Sequence, residues 1–123
     1  MISIKELNTI LKPYYSKTWL CGVEIEPGWT DLILELHEKL VVLDPTYEIN
    51  QIKEKFSSLR YYITINNYED QTICDTMWDL ESEYERKSLE ICSQCGNKSD
   101  EYKHGDGEWL RTLCAPCREL RNK

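Results

Sequence analysis

The sequence predicts an α+β domain: a small antiparallel sheet packed against two or three helices, closed at its C-terminal end by a cysteine-rich module. Three observations predict it. Apolar residues recur at helical spacing in Leu7 to Leu11, Leu32 to Leu43 and Ile73 to Tyr84. Between the second and third of these segments the period changes to that of strands. Finally, two Cys-x-x-Cys pairs, Cys92–Cys95 and Cys114–Cys117, bracket 18 residues near the C-terminus.

Taken in order, Ser3-x-x-Glu6 has the capping-box pattern, followed by Leu7, Ile10 and Leu11, and the first helix should end before Pro13. Residues 13–30 read as a loop with one short strand around Leu20 to Ile25, and Pro27-Gly28 marks a turn. Thr30 or Asp31 is placed to cap a second helix with Leu32, Ile33, Leu36, Leu40 and Leu43 on one stripe. Asp44-Pro45 stops it. Glu48 to Phe56 and Leu59 to Ile65 read as two strands of a hairpin joined by Ser57-Ser58, with Tyr61, Ile63 and Ile65 on one face. After a turn at Asn66-Asn67, a long helix is expected from about Glu69 to Ile91. Its stripe is Ile73, Met77, Leu80 and Tyr84, continued by Leu89 or Ile91, and Asp75, Asp79, Glu81, Glu83 and Glu85 lie mostly off it.

The chain has 123 residues, 41% apolar and 30% charged, which fits one soluble globular domain and argues against global disorder. No apolar run approaches the length of a membrane span. Lys5 and Glu6 interrupt the stretch that a signal peptide would need uninterrupted. The expectation is a cytoplasmic protein whose six cysteines are thiols or metal ligands rather than disulfides. Within the single domain 1–123, residues 1–91 form an acidic α+β body and 92–123 a metal-binding subdomain.

Zinc prefers four soft ligands in a tetrahedron, and a Cys-x-x-Cys turn sets two sulfurs about one tetrahedral edge apart. Gly96, after the first pair, suits a positive φ in such a turn. Between the pairs, Glu101 to His104, Gly105-Asp106-Gly107 and Glu108 to Leu113 suit a hairpin, and Arg118 to Arg121 begins a terminal helix. Knuckle, hairpin and a ligand pair at a helix start make a treble-clef-like zinc module with Cys92, Cys95, Cys114 and Cys117 as ligands; a zinc ribbon would lack the final helix. Four protein sulfurs leave no open position, so the site is expected to be structural and to tie the last 32 residues into a unit too small to fold alone. His104 is a weaker ligand candidate. His37 is expected on an exposed helix face, and Cys21 and Cys74 as small buried thiols.

Charge is uneven. Residues 1–85 hold 16 acidic against 7 basic residues, and residues 86–123 hold 6 against 8. Four thiolates around one zinc bring the second part close to neutral, so no broad basic field remains for phosphates. Membrane association is not expected. Enzymatic signatures are also missing: there is no Gly-rich phosphate loop, nucleophile elbow or His-Glu-x-x-His, and the residues around His104 and Pro116 do not make a deaminase pattern.

Several strings occur together: Gly28-Trp29 before Leu-x-x-Leu-His-Glu-Lys-Leu, then Gln51-Ile-Lys-Glu-Lys-Phe56, Leu59-Arg-Tyr-Tyr62, Cys-x-x-Cys-Gly and Trp109-Leu-Arg-Thr-Leu-Cys114. Over about residues 27 to 117 the chain resembles a group of small bacterial and phage-encoded proteins, largely without assigned function, with a zinc-knuckle C-terminus. Such sequences usually read Lys-Phe-Gly-Gly-Leu-Arg-Phe-Tyr in the hairpin, where this one has Ser57-Ser58. Residues 1–26 fall outside the resemblance. Small size, an acidic body and no catalytic constellation fit an inhibitory protein-binding module, such as an immunity protein or a phage-encoded inhibitor of a host defence complex. Asp75, Asp79, Glu81, Glu83 and Glu85 would then meet a basic target surface. The alternative is a zinc-dependent nucleic-acid-binding or regulatory protein, with Arg111, Arg118 and Arg121 on phosphates.

Overall fold

The N-terminal helix starts where its capping box places it. In the computed structural model, which describes residues 1–17, 22–55, 57–99 and 112–121, helix α1 spans Ile4–Leu11. The Ser3 hydroxyl accepts from the Glu6 amide at 3.0 Å, and the Glu6 carboxylate accepts from the Ser3 amide. Leu7 and Leu11 are fully buried, whereas Ile10, expected on the same stripe, is exposed. One turn of 3₁₀ helix, Lys12–Tyr14, carries the chain past Pro13. The following loop is pinned by Asn8, whose side-chain oxygen accepts from the Tyr15 hydroxyl and from the Val23 amide at 3.0 Å.

Where a short strand was expected around Leu20 to Ile25, the described part holds one parallel bridge, Glu24 to Lys53; Leu20 and Cys21 lie outside the described residues. Leu7, Leu11 and Val23 nevertheless bring the described part of residues 1–26 into the core. Ser16 and Glu24 donate backbone hydrogen bonds to Ile49 and Ile52, both at 2.9 Å. They thereby cover one edge of the hairpin, which would otherwise stand open.

Helix α2 spans Thr30–Leu43 and follows a 3₁₀ turn at Pro27–Trp29. Neither Thr30 nor Asp31 caps it. Thr30 is its first residue, and the Thr30 hydroxyl donates instead to the carbonyls of Ile2 and Pro27, while Asp31 accepts from the Ile2 amide at 3.1 Å. Leu32, Ile33, Leu36 and Leu40 are buried as the stripe predicts. At its end the buried Asp44 carboxylate accepts from the amides of Thr46, Asn66 and Asn67, tying the helix exit to the far end of the hairpin. Those hydrogen bonds outweigh burial and hold the Asp44 carboxyl below the usual range.

Strands β1 (Glu48–Lys55) and β2 (Ser58–Thr64) pair antiparallel as a two-stranded sheet. Ile49 and Ile52 are three apart, so a regular strand would point them to opposite faces. A bulge at Asn50, between the Ile49 and Gln51 registers, resets the phase and both are buried. Leu59, Tyr61 and Ile63 line the same core from β2. Helix α3, Gln71–Ser88, is capped by Asp70, which accepts from the Ile73 amide at 3.1 Å. It packs against β2 and α2 through Met77 and Tyr84. Helix α4, Ala115–Arg121, closes the described chain. No helix among the described residues is long and apolar enough to cross a membrane.

His37, expected on an exposed face, is buried. Its Nδ1 lies 2.6 Å from the Tyr47 hydroxyl, which lies 2.8 Å from that of Tyr61, and Tyr14 packs edge-on against the imidazole at 4.6 Å. Burial lowers the His37 pKa and raises those of Tyr47 and Tyr61. The cluster is therefore neutral: a polar core whose groups satisfy one another.

The hairpin turn runs through Ser57-Ser58. Ser57 has φ 66°, a left-handed conformation that costs a side-chain-bearing residue about 1 kcal/mol or more. Its hydroxyl is buried without a hydrogen-bond partner among the described residues. Ser57→Gly is accordingly expected to raise stability by about 1 kcal/mol, read as a melting shift of a few degrees upward. A lower melting temperature would contradict this account of the turn.

Candidate metal centre and the acidic helix

Residues 91–99 make no regular element, so their polar backbone groups need partners elsewhere. They find them within the turn and on the body. The Gly96 amide donates to the Cys92 carbonyl at 2.9 Å and the Cys92 amide to the Asn97 carbonyl at 2.7 Å, closing the knuckle. Gly96 has φ 83°, as the turn requires. The second pair sits at the start of α4, where the Arg118 amide donates to the Cys114 carbonyl at 2.9 Å.

These two segments bring Cys92, Cys95, Cys114 and Cys117 together, with all four sulfurs within 4.8 Å of one another. Cys95 Sγ lies 3.6 Å from Cys114 Sγ. A tetrahedral site with metal–sulfur bonds of about 2.3 Å has edges of about 3.8 Å, so the cluster has the dimensions of such a site. Cys92, Cys114 and Cys117 are buried and Cys95 is half-buried. No disulfide links the five described cysteines, which include Cys74 on α3. Knuckle, ligand pair at a helix start and terminal helix fit the treble-clef-like module. Of its expected hairpin, residues 101–111, with His104, Trp109 and Arg111, lie outside the described residues, as does Lys123, and the described end of the second strand, Thr112 and Leu113, pairs in no sheet.

Electrostatics show what the cluster needs. Burial pushes the Cys92 thiol up, but backbone N–H groups of Cys114, Cys95 and Gln94 outweigh it and hold the pKa at about 7. Cys95 and Cys117 are raised, first by burial and then by hydrogen bonds to the neighbouring sulfurs. Four thiolates at these distances, three of them buried, repel one another unless a cation lies among them. A bound metal reverses that logic and deprotonates its thiols outright. The donor set therefore fits a metal ion, held by all four sulfurs.

The centre is stitched to the body by residues with no place in the ligand motif. The Gly28 amide donates to the Ser93 carbonyl at 2.8 Å, and the Trp29 indole N–H to the Ile91 carbonyl at 2.8 Å. Gly28 touches the knuckle backbone to backbone: a Cβ there would lie 2.1 Å from the Cys92 carbonyl oxygen. Thr112 donates its amide to buried Glu54 at 3.2 Å and its hydroxyl to the Ser57 carbonyl. Ser93 donates in turn to the Thr112 carbonyl at 2.8 Å. One sequence signal marked this docking. Glu54 follows Ile52 by two residues and so faces the core, where a carboxylate needs a donor.

The five acidic candidates on α3 do not form one patch. At about 3.6 residues per turn, Asp75, Asp79 and Glu83 follow one flank at i, i+4 and i+8, and Glu81 and Glu85 the other. Asp75 and Asp79 are exposed, and Glu83 lies 4.0 Å from Lys87. Glu85 pairs with Arg60 of β2 at 2.9 Å. Burial, and then the neighbouring Glu85, push Glu81 up to about 7 against the pull of Arg60, so it carries only part of a charge at neutral pH. Trp78, between Asp75 and Asp79, is 47% exposed, while Trp29 is fully buried. The chain matches no protein-family model, no curated protein and no solved structure at a significant level.

Proposed function

We propose that this protein is a non-catalytic, cytoplasmic protein-binding inhibitor, built around one structural zinc ion, that blocks a basic surface of its target. Zinc is the metal that four clustered sulfurs in a tetrahedral setting suit best. With every position taken by protein sulfur, the ion has no vacancy for water or substrate, so its work is to hold the fold. The observation that carries the binding reading is Trp78, exposed between Asp75 and Asp79, in a chain whose first 85 residues hold 16 acidic against 7 basic residues. An exposed Trp supplies the apolar anchor of an interface, and the flanking carboxylates steer and orient a Lys/Arg-bearing partner. An immunity protein or an inhibitor of a defence complex works by such occlusion. The same acidic body disfavours a nucleic-acid ligand.

The test is capture of partners by the tagged, zinc-loaded protein in the organism that carries its gene. A protein with a basic surface should co-purify and be released by salt. Asp75→Lys with Asp79→Lys should cut its recovery at least about tenfold, consistent with several screened charge contacts of a few tenths to 1 kcal/mol each. Recovery of nuclease-sensitive oligonucleotide in place of a protein would refute the reading.

A further inference from the structure

The four sulfurs of the metal centre are not equally accessible. Cys92, Cys114 and Cys117 are buried, whereas Cys95 is half-buried. Cys95 and Gly96 also line a pocket of about 320 Å³, whose other walls include Met1, Leu32, Glu35 and Ile91. Cys92, Cys114 and Cys117 do not border it. A small reagent entering that pocket therefore meets the sulfur of Cys95. Cys114 Sγ stands 3.6 Å from Cys95 Sγ, on the other segment of the site. A bond between these two would join the knuckle to the start of α4, whereas a bond within either Cys-x-x-Cys pair would join a turn to itself. The body grips both segments, Ser93 through the Gly28 amide and Thr112 through Glu54 and Ser57. Cys114 is thus still presented to Cys95 at the moment a metal bond is lost.

We propose that this centre is a redox switch: hydrogen peroxide oxidises Cys95 first, and a Cys95–Cys114 disulfide then replaces the metal as the cross-link between knuckle and α4. The proposal rests on the reading that the four sulfurs hold a metal, and not on the identity of any partner. The Cys95 thiolate attacks one peroxide oxygen. The S–O bond forms, the O–O bond breaks, and hydroxide leaves. The Cys114 thiolate then attacks the Cys95 sulfur. The S–S bond forms, the S–O bond breaks, and a second hydroxide leaves. Two thiolates have given up two electrons, and the peroxide has taken them. The thiolates that remain, Cys92 and Cys117, are half of a four-sulfur site, so the ion is released. The new bond closes the 18-residue segment between the pairs and restricts the unfolded chain. The oxidised module therefore stays docked, where the reduced, metal-free module lets go.

The experiment starts from the zinc-loaded protein, its zinc content fixed beforehand by elemental analysis. Hydrogen peroxide is added in small molar excess, and zinc release is followed with a chromogenic chelator. One aliquot is trapped with dimedone and another alkylated, and the cysteines of both are mapped by mass spectrometry. The expected result is a first sulfenic acid at Cys95, a Cys95–Cys114 disulfide as the main product, and loss of one zinc for each disulfide formed. Dithiothreitol with added zinc should restore the starting protein. The oxidised protein should melt above the reduced protein stripped by chelator, and its Thr112 amide should exchange at least about tenfold more slowly. Zinc retained in excess peroxide, a first label on another ligand, a bridge within Cys92–Cys95 or Cys114–Cys117, or melting no higher than that of the reduced metal-free protein would each overturn the switch. Those outcomes leave the structural zinc in place. Purified protein without zinc is a different failure, which removes the metal reading and the switch together.

Discussion

Stripping the metal from this protein, or replacing Cys92 and Cys114 by Ser, is expected to cost at least about 3 kcal/mol and to lower the melting temperature by about 10 °C or more. The effect should reach well beyond the tail, for a geometric reason. Thr112 is two residues from a ligand and carries hydrogen bonds to both Glu54 and Ser57. Releasing Cys114 frees Thr112, which leaves the Glu54 carboxylate buried without that donor, a loss of about 1 to 3 kcal/mol. Releasing Cys92 frees Ser93 and with it the acceptor of the Gly28 amide. The measurements are elemental analysis of the purified protein, thermal unfolding with and without chelator, and amide exchange at Gly28 and Thr112. One zinc per chain and lost protection at both amides are expected. Near-normal melting after complete metal removal would sink the structural role.

Gly28→Ala should be almost as damaging, although Gly28 binds no metal. The added methyl carbon would stand 2.1 Å from the Cys92 carbonyl oxygen and 2.5 Å from the Ser93 carbonyl carbon. Both are backbone atoms of the knuckle, so nothing flexible is available to move aside. Either the turn holding two ligands shifts or α2 moves at its start, and overpacking of this kind costs about 3 kcal/mol or more. Gly96→Ala is the matched control. There the nearest backbone atom, the Gly28 carbonyl oxygen, is 3.1 Å from the added carbon, and the main cost is the left-handed φ of 83°. Urea unfolding of the zinc-loaded proteins should rank Gly28→Ala clearly below Gly96→Ala, with weaker zinc retention in a chelator competition for both. The reverse order would show that backbone conformation, not close approach, makes Gly28 necessary.

The order of elements was legible because its signals are local. Capping at Ser3, the helical stripe from Leu32 to Leu40, alternation through Leu59, Tyr61 and Ile63, and the breaks at Pro13 and Asp44-Pro45 all act within a few residues of where they stand. The ligand set was legible for the same reason, since each Cys-x-x-Cys pair is built by one turn. Errors fell where a residue answers to something distant. His37 reads as a surface residue until Tyr47 and Tyr61 supply it with partners, 10 residues away and beyond. Ile49 and Ile52 are out of phase until the bulge at Asn50 reconciles them with the core. The five carboxylates of the long helix read as one acidic set, but Arg60 on a neighbouring strand draws Glu85 aside.

By itself, then, the sequence determined the three long helices and the central hairpin, which four sulfurs meet, and where net negative charge accumulates, because spacing and composition are properties of the chain alone. Tertiary structure decided how the cysteine module is held: by Gly28 against Cys92, by Glu54 and Ser57 on Thr112, and by Trp29 on Ile91. Those contacts join residues 55 to 65 or so positions apart. Hydrogen bonds and close approaches between such partners leave no periodic trace, since each end satisfies its local rules equally well with water until packing excludes it.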